Sequence, residues 1–131
     1  MIGIDTNVLA RHLVGDDPKQ AALAARFIGG LTSKRRGFVT HIALAELDWV
    51  LKTSYGFSRE ARLAALNRLV ELRDLEFEDG ESVVRALALA EDGADFADAL
   101  IAASGELFGV TETVTFDRAA AKRLGWRALA S

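Results

Sequence analysis

Five carboxylates stand where the chain could put them to chemical use: Asp5, Glu46, Asp95, Asp98 and Asp117. Asp5 follows the apolar run Met-Ile-Gly-Ile and precedes Thr6 and Asn7, so it falls where a short strand gives way to a helix. Helix capping is one use for an aspartate there. The carboxyl end of a strand in an α/β sheet is also where active residues gather. Asp117 repeats that setting behind Thr113-Val114-Thr115-Phe116, with Thr115 one strand period away to add a hydroxyl. Glu46 differs, because its helical neighbours one turn away are Ile42, Ala43, Trp49 and Val50, none of them a cation. A buried carboxylate on such a face must be neutral, hydrogen-bonded or compensated by a cation from elsewhere. Asp48, by contrast, has Lys52 four residues on and is expected to form a solvated pair. Asp95 and Asp98 share one face at a helix N-terminus, where the dipole favours negative charge and capping is again an alternative use. Asp98 is flanked by Ala94, Ile101 and Ala102, an apolar face that lets another element come close.

Taken together, such carboxylates repel one another in one cleft unless a divalent cation neutralises them. The chain has no cysteine and two histidines, His12 and His41, so its donors are oxygens. Oxygen donors select a hard ion, Mg²⁺ or Mn²⁺. Such an ion activates water and stabilises charge on a phosphate under in-line displacement, so the implied chemistry is phosphodiester hydrolysis. A rival reading is a non-catalytic module that holds RNA or a protein without cutting, which has no need of a carboxylate set. A phosphatase with an aspartate nucleophile is a third, but Asp5-Thr6-Asn7 lacks a second acid two residues on.

The elements that must position these residues are legible in outline. A buried strand ends at Asp5, and a helix runs from about Thr6 to Val14. Asp17 caps a second helix, with Pro18 at its first position, that reaches about Ile28. A basic loop leads to a strand at Phe38–Thr40. The segment from Ile42 to about Thr53 is apolar almost all round and reads as a buried helix. Ser58 caps the next helix, whose stripe is Leu63, Leu66, Leu69 and Val70. A strand at Leu75–Glu78, helices at about Glu81–Ala90 and Phe96–Leu107, and a strand at Thr113–Phe116 follow. A last helix from Arg118 to Leu124 stops at Gly125, and Trp126–Leu129 adds an edge strand. Strands alternating with helices imply an α/β fold with a mostly parallel sheet.

At 131 residues, with no linker or repeat, the chain is expected to form a single domain. Sixteen basic against 19 acidic residues give a net charge of −3, which argues against a broad basic surface for nucleic acid. A cation bridging carboxylates to phosphate would let such a chain handle a polyanion. Lys34-Arg35-Arg36, Arg11, Arg118, Lys122 and Arg123 are the available cations. Arg118 and Lys122, four apart beside Asp117, are best placed to meet phosphates, unless they simply face solvent. Trp49, Tyr55 and Trp126 are expected in the core or at a dimer interface. With no signal-peptide pattern and no apolar run of ~18 residues, a soluble cytoplasmic protein without a membrane partner is expected.

Ile-Asp-Thr-Asn-Val-Leu at 4–9, Ala-Glu-Leu at 45–47, Asp-Ala-Leu-Ile-Ala-Ala at 98–103 and Thr-Phe-Asp at 115–117 resemble the motifs of PIN-domain nucleases. Their order and spacing are similar to those of the toxins of VapBC-type toxin–antitoxin modules. The resemblance spans essentially the whole chain. It implies a three-layer sandwich with a mostly parallel central sheet, formed by residues 1–131 as one nuclease domain. It further implies a metal-dependent endoribonuclease using Asp5, Glu46, Asp98 and Asp117, with Asp95 as an outer ligand of the metal. Asn7 would orient Asp5, and Thr6 and Thr115 would line the site. The implied partners are an RNA substrate, a second copy in a homodimer, and a cognate antitoxin, through which alone DNA would be met.

Overall fold

The computed structural model describes residues 1–130, and these form seven helices and five short strands. The chain divides into two compact units, the first Met1–Glu78 and the second beginning at Asp79. In the first, strands β1 (Ile2–Gly3), β2 (Gly37–Val39) and β3 (Leu75–Phe77) lie parallel in that order. Ile2 pairs with Gly37, and Val39 with Phe77. Parallel neighbours need a crossover, and helix pairs supply it. Helices α1 (Thr6–Val14) and α2 (Pro18–Gly29) join β1 to β2, and α3 (His41–Thr53) and α4 (Arg59–Val70) join β2 to β3. β1 is shorter than the expected strand, although the Ile4 amide still donates to Phe38 O at 2.9 Å. Beyond Ile4 the backbone turns at once into α1, which leaves Asp5 at the strand's carboxyl end.

Leu9, Leu44, Leu47, Leu51, Leu66, Leu69 and Val39 are fully buried and form the apolar centre of this unit. Helix α3 departs from the expectation of burial all round. Ala43, Leu44, Leu47 and Leu51 lie inside, whereas Ile42 and Trp49 are 79% and 63% exposed. The apolar circumference read from the sequence therefore has two halves, one packed and one facing outward. Asp48 is a second correction. It is buried on the packed half and pairs with Arg62 Nε of α4 at 2.9 Å, so it is not the solvated acid expected. Of the two places expected for the aromatics, the core is not the one: Trp49 is exposed, and Tyr55 and Trp126 are only half-buried.

The second unit holds α5 (Gly80–Glu91), α6 (Phe96–Leu107), β4 (Val114–Thr115), α7 (Arg118–Leu124) and β5 (Arg127–Ala128). α5 packs on α6, and the buried residues of the two helices are mainly small: Ala86, Ala90, Ala99 and Ala103, with Val83 and Leu100. β4 and β5 pair in parallel, Val114 opposite Arg127. Every strand pair is thus parallel, as the α/β reading requires, with the ladders divided three and two. Among the described residues no helix is long and apolar enough to cross a membrane.

The turn between α5 and α6 depends on Gly93, whose φ of +119° is open to glycine and strained for other residues. A Cβ there would also stand 2.3 Å from Arg123 Nη1, which donates to Asp92 O at 3.0 Å. Gly93→Ala is expected to cost about 1–3 kcal/mol, read as a lower urea midpoint. Arg123→Ala, which loses the hydrogen bond without the backbone strain, is expected to cost less.

Candidate active site

Asp5 has N-cap backbone geometry at the start of α1 (φ −75°, ψ 153°), yet its side chain makes no capping hydrogen bond. The capping role is left unused and the carboxylate is exposed. Thr6 is buried, and its hydroxyl donates to Glu46 Oε1 at 2.5 Å, tying the start of α1 to the middle of α3. Glu46 itself is exposed, contrary to the buried carboxylate expected from its neighbours, because Ile42 and Trp49 share the outward half of α3. Its charge is met by solvent and by the Thr6 hydroxyl. Asn7 is exposed, and among the described residues no hydrogen bond links its side chain to Asp5.

Beside Asp5 lies a groove of about 570 Å³ between β1, α1 and α2, lined by Ile4, Val8, Leu23 and Phe27, with Arg11 and Gln20 also in its wall. Arg11 is held there by three side chains. Its guanidinium donates to Tyr55 Oη at 2.8 Å, Gln20 Oε1 at 2.7 Å and Asp16 Oδ1 at 3.1 Å. Reaching a phosphate would require it to leave these partners.

In the second unit Asp95, Asp98 and Asp117 stand at the starts of α6 and α7, two helices that touch each other. Asp95 is the N-cap of α6 and accepts from the Asp98 amide at 3.0 Å. Asp117 is the N-cap of α7, and its Oδ1 accepts from the amides of Ala119 (2.9 Å) and Ala120 (3.1 Å). Both amides land on one oxygen. The Thr115 hydroxyl accepts from the Asp117 amide at 2.9 Å, so it braces the turn. Asp98 stands half-buried among them. Burial raises its pKa above the ordinary aspartate value, and the charges of Asp95 and Asp117 raise it further. Arg118 and Lys122 on α7 are exposed.

The raised pKa has a direct consequence for stability. A carboxyl whose folded pKa lies above its unfolded value favours the folded state when protonated, and that contribution is lost as pH rises through the folded pKa. In chelator, Asp98→Asn is therefore expected to raise the Tm at neutral pH. The gain should vanish below the normal aspartate range, which paired melts across pH 3–8 would measure.

The donor chemistry fits a hard divalent cation. The available ligands are carboxylate oxygens, and crowding at Asp98 is what a positive ion would relieve. Among the described residues no three His, Asp or Glu side chains form a ready-made cage. Mg²⁺ needs none, since it keeps several waters and binds through one or two carboxylates together with substrate phosphates.

Neither histidine joins these acids in its own unit. His12 is half-buried, its pKa lowered by burial and then by Arg68. The His41 amide donates to Glu78 Oε1 at 2.8 Å, and its Nε2 is buried. Glu78 escaped the sequence reading. Its place just after a strand was the available signal, and the structure uses it to cap α3.

Parallel strands joined by helices, two of them (β1 and β4) running at their carboxyl ends through an aspartate into a helix, define an α/β protein. The family model of the PIN domain matches residues 2–126, and the chain belongs to the PIN domain family. Among curated proteins none matches the sequence.

Proposed function

We propose that the protein is a divalent-metal-dependent endoribonuclease, and that residues 1–131 work as one nuclease domain. The observation that carries this reading is the PIN-family match over residues 2–126, with Asp98 half-buried at the start of α6 beside Asp95, whose carboxylate accepts from the Asp98 amide. Asp5, Glu46, Asp98 and Asp117 would hold Mg²⁺ or Mn²⁺, with Asp95 as an outer ligand. When bound, such an ion neutralises the carboxylates and supplies the positive charge that a phosphodiester under attack requires.

The chain's own residues do the positioning. Thr6 holds Glu46 Oε1 at the surface of α3. Asp5 keeps its carboxylate free of the backbone. Asp117 spends one oxygen on α7 and retains the other. Arg118 and Lys122 follow directly and would meet the phosphates of the RNA. The motifs at 4–9 and 98–103 support the finer reading of a VapBC-type toxin, a cytoplasmic homodimer silenced by a cognate antitoxin. DNA would enter only through that antitoxin.

Metal addition tests the ligand set. At a hundredfold excess over its Kd, a cation that binds only the folded chain stabilises it by about 2.7 kcal/mol. Mg²⁺ or Mn²⁺ should therefore raise the Tm of the wild type and leave Asp98→Asn unmoved. Equal shifts in both proteins would contradict the assignment of Asp98, and RNA cleavage unaffected by EDTA would contradict the mechanism.

A further inference from the structure

We infer that Trp49 is a stacking platform for a base of the RNA substrate, set by α3 one turn from Glu46; the inference rests on the ribonuclease reading and deepens it. The indole is 63% exposed, although Trp is a side chain that folding normally covers. The helix cannot roll to hide it, because Ala43, Leu44, Leu47 and Leu51 anchor the opposite face in the core. Residues three apart on a helix are neighbours, with Cβ atoms ~5–6 Å apart, so the indole stands beside the Glu46 carboxylate. That carboxylate is itself held by the Thr6 hydroxyl. Lys52, one further turn along and also exposed, completes a stripe of carboxylate, aromatic ring and ammonium. A nucleotide presents the matching pattern: a phosphate at the acid and its cation, a base on the ring, and the next phosphate at the lysine.

The charge balance gives such a surface a use. With 16 basic against 19 acidic residues, general attraction for a polyanion is lacking. Single strands bound by stacking are recognised through the π-faces of their bases, with modest sequence preference. Trp49 would therefore hold unpaired RNA and reject a duplex, whose bases are already stacked.

The chain has two tryptophans, so Trp126→Phe leaves Trp49 as the sole indole reporter. In that background a non-cleavable 2′-O-methyl single strand should quench the emission saturably, and the matching duplex should not. Trp49→Ala, assayed for binding by fluorescence anisotropy of a labelled strand, should weaken binding by roughly 10-fold and raise KM more than it lowers kcat. Trp49→Phe should restore binding to within about 3-fold, which a merely structural role would not require. Sedimentation of Trp49→Ala should give an unchanged mass. Binding and KM equal to the parent's would overturn the platform while leaving the ribonuclease reading intact. A changed mass would overturn it in favour of a second copy covering this face. Quenching without cleavage by any form of the protein would uphold the platform and sink the ribonuclease reading.

Discussion

Asp98→Asn is expected to lower RNA cleavage by about 10³-fold, since the positive charge it would help to hold is worth several kcal/mol in the transition state. The same substitution is expected to stabilise the metal-free fold at neutral pH, because it removes a charge that burial, and then the charges of Asp95 and Asp117, disfavour. Loss of activity together with gain of stability marks a carboxylate kept for chemistry. A structural aspartate would show the reverse. Asp5→Asn should also abolish cleavage, and its stability should change little, because Asp5 makes no side-chain cap. Asp117→Asn is the informative contrast, since Asn can still accept the two amide hydrogen bonds that start α7. Single-turnover cleavage rates and urea midpoints on the same preparations would separate these cases.

Arg62→Ala is expected to cost about 3–5 kcal/mol of stability, the cost of removing one partner from a buried ion pair. Asp48 is 7% exposed and accepts from Arg62 Nε, while Arg62 Nη1 donates to Phe57 O at 2.9 Å. Truncation takes from a buried carboxylate its Arg62 hydrogen bond and from the turn between α3 and α4 the hydrogen bond to Phe57 O. A double replacement, Asp48→Leu with Arg62→Met, should recover most of the loss, because the desolvation penalty disappears with the charges. Lys52→Ala should stay within about 0.5 kcal/mol. Urea unfolding of the four variants would check the order, and a large effect of Lys52→Ala would contradict it.

Asp48 and Glu46 also show where sequence reasoning stops. Spacing within one helix assigned Asp48 to Lys52 and Glu46 to a buried face, and the structure reverses both. The decision lies with α4, which brings Arg62 to Asp48, and with α1, which brings Thr6 to Glu46. Neither partner lies within a turn of its acid. Helix ends were legible because their causes are local: Asp17 with Pro18 opens α2, Ser58 caps α4, and Gly125 closes α7. Strands were overextended, since a strand ends where its neighbour's hydrogen bonds end, and that neighbour is distant in sequence.

The aspartates at element junctions were ambiguous for a related reason. Cap and ligand call for the same residue at the same place. Asp95 and Asp117 prove to cap with their side chains, and Asp5 does not. No local pattern distinguishes the three. Whether a capping aspartate also meets other carboxylates depends on which helices lie against each other, as α6 and α7, capped by Asp95 and Asp117, do.

The most direct measurement is incubation of the purified, metal-stripped protein with a pool of cellular RNA, with Mn²⁺, with Mg²⁺ or with EDTA, beside Asp98→Asn. The account predicts discrete internal cleavage products with either metal, and none in EDTA or with the variant. Cleavage that survives both EDTA and Asp98→Asn would contradict it.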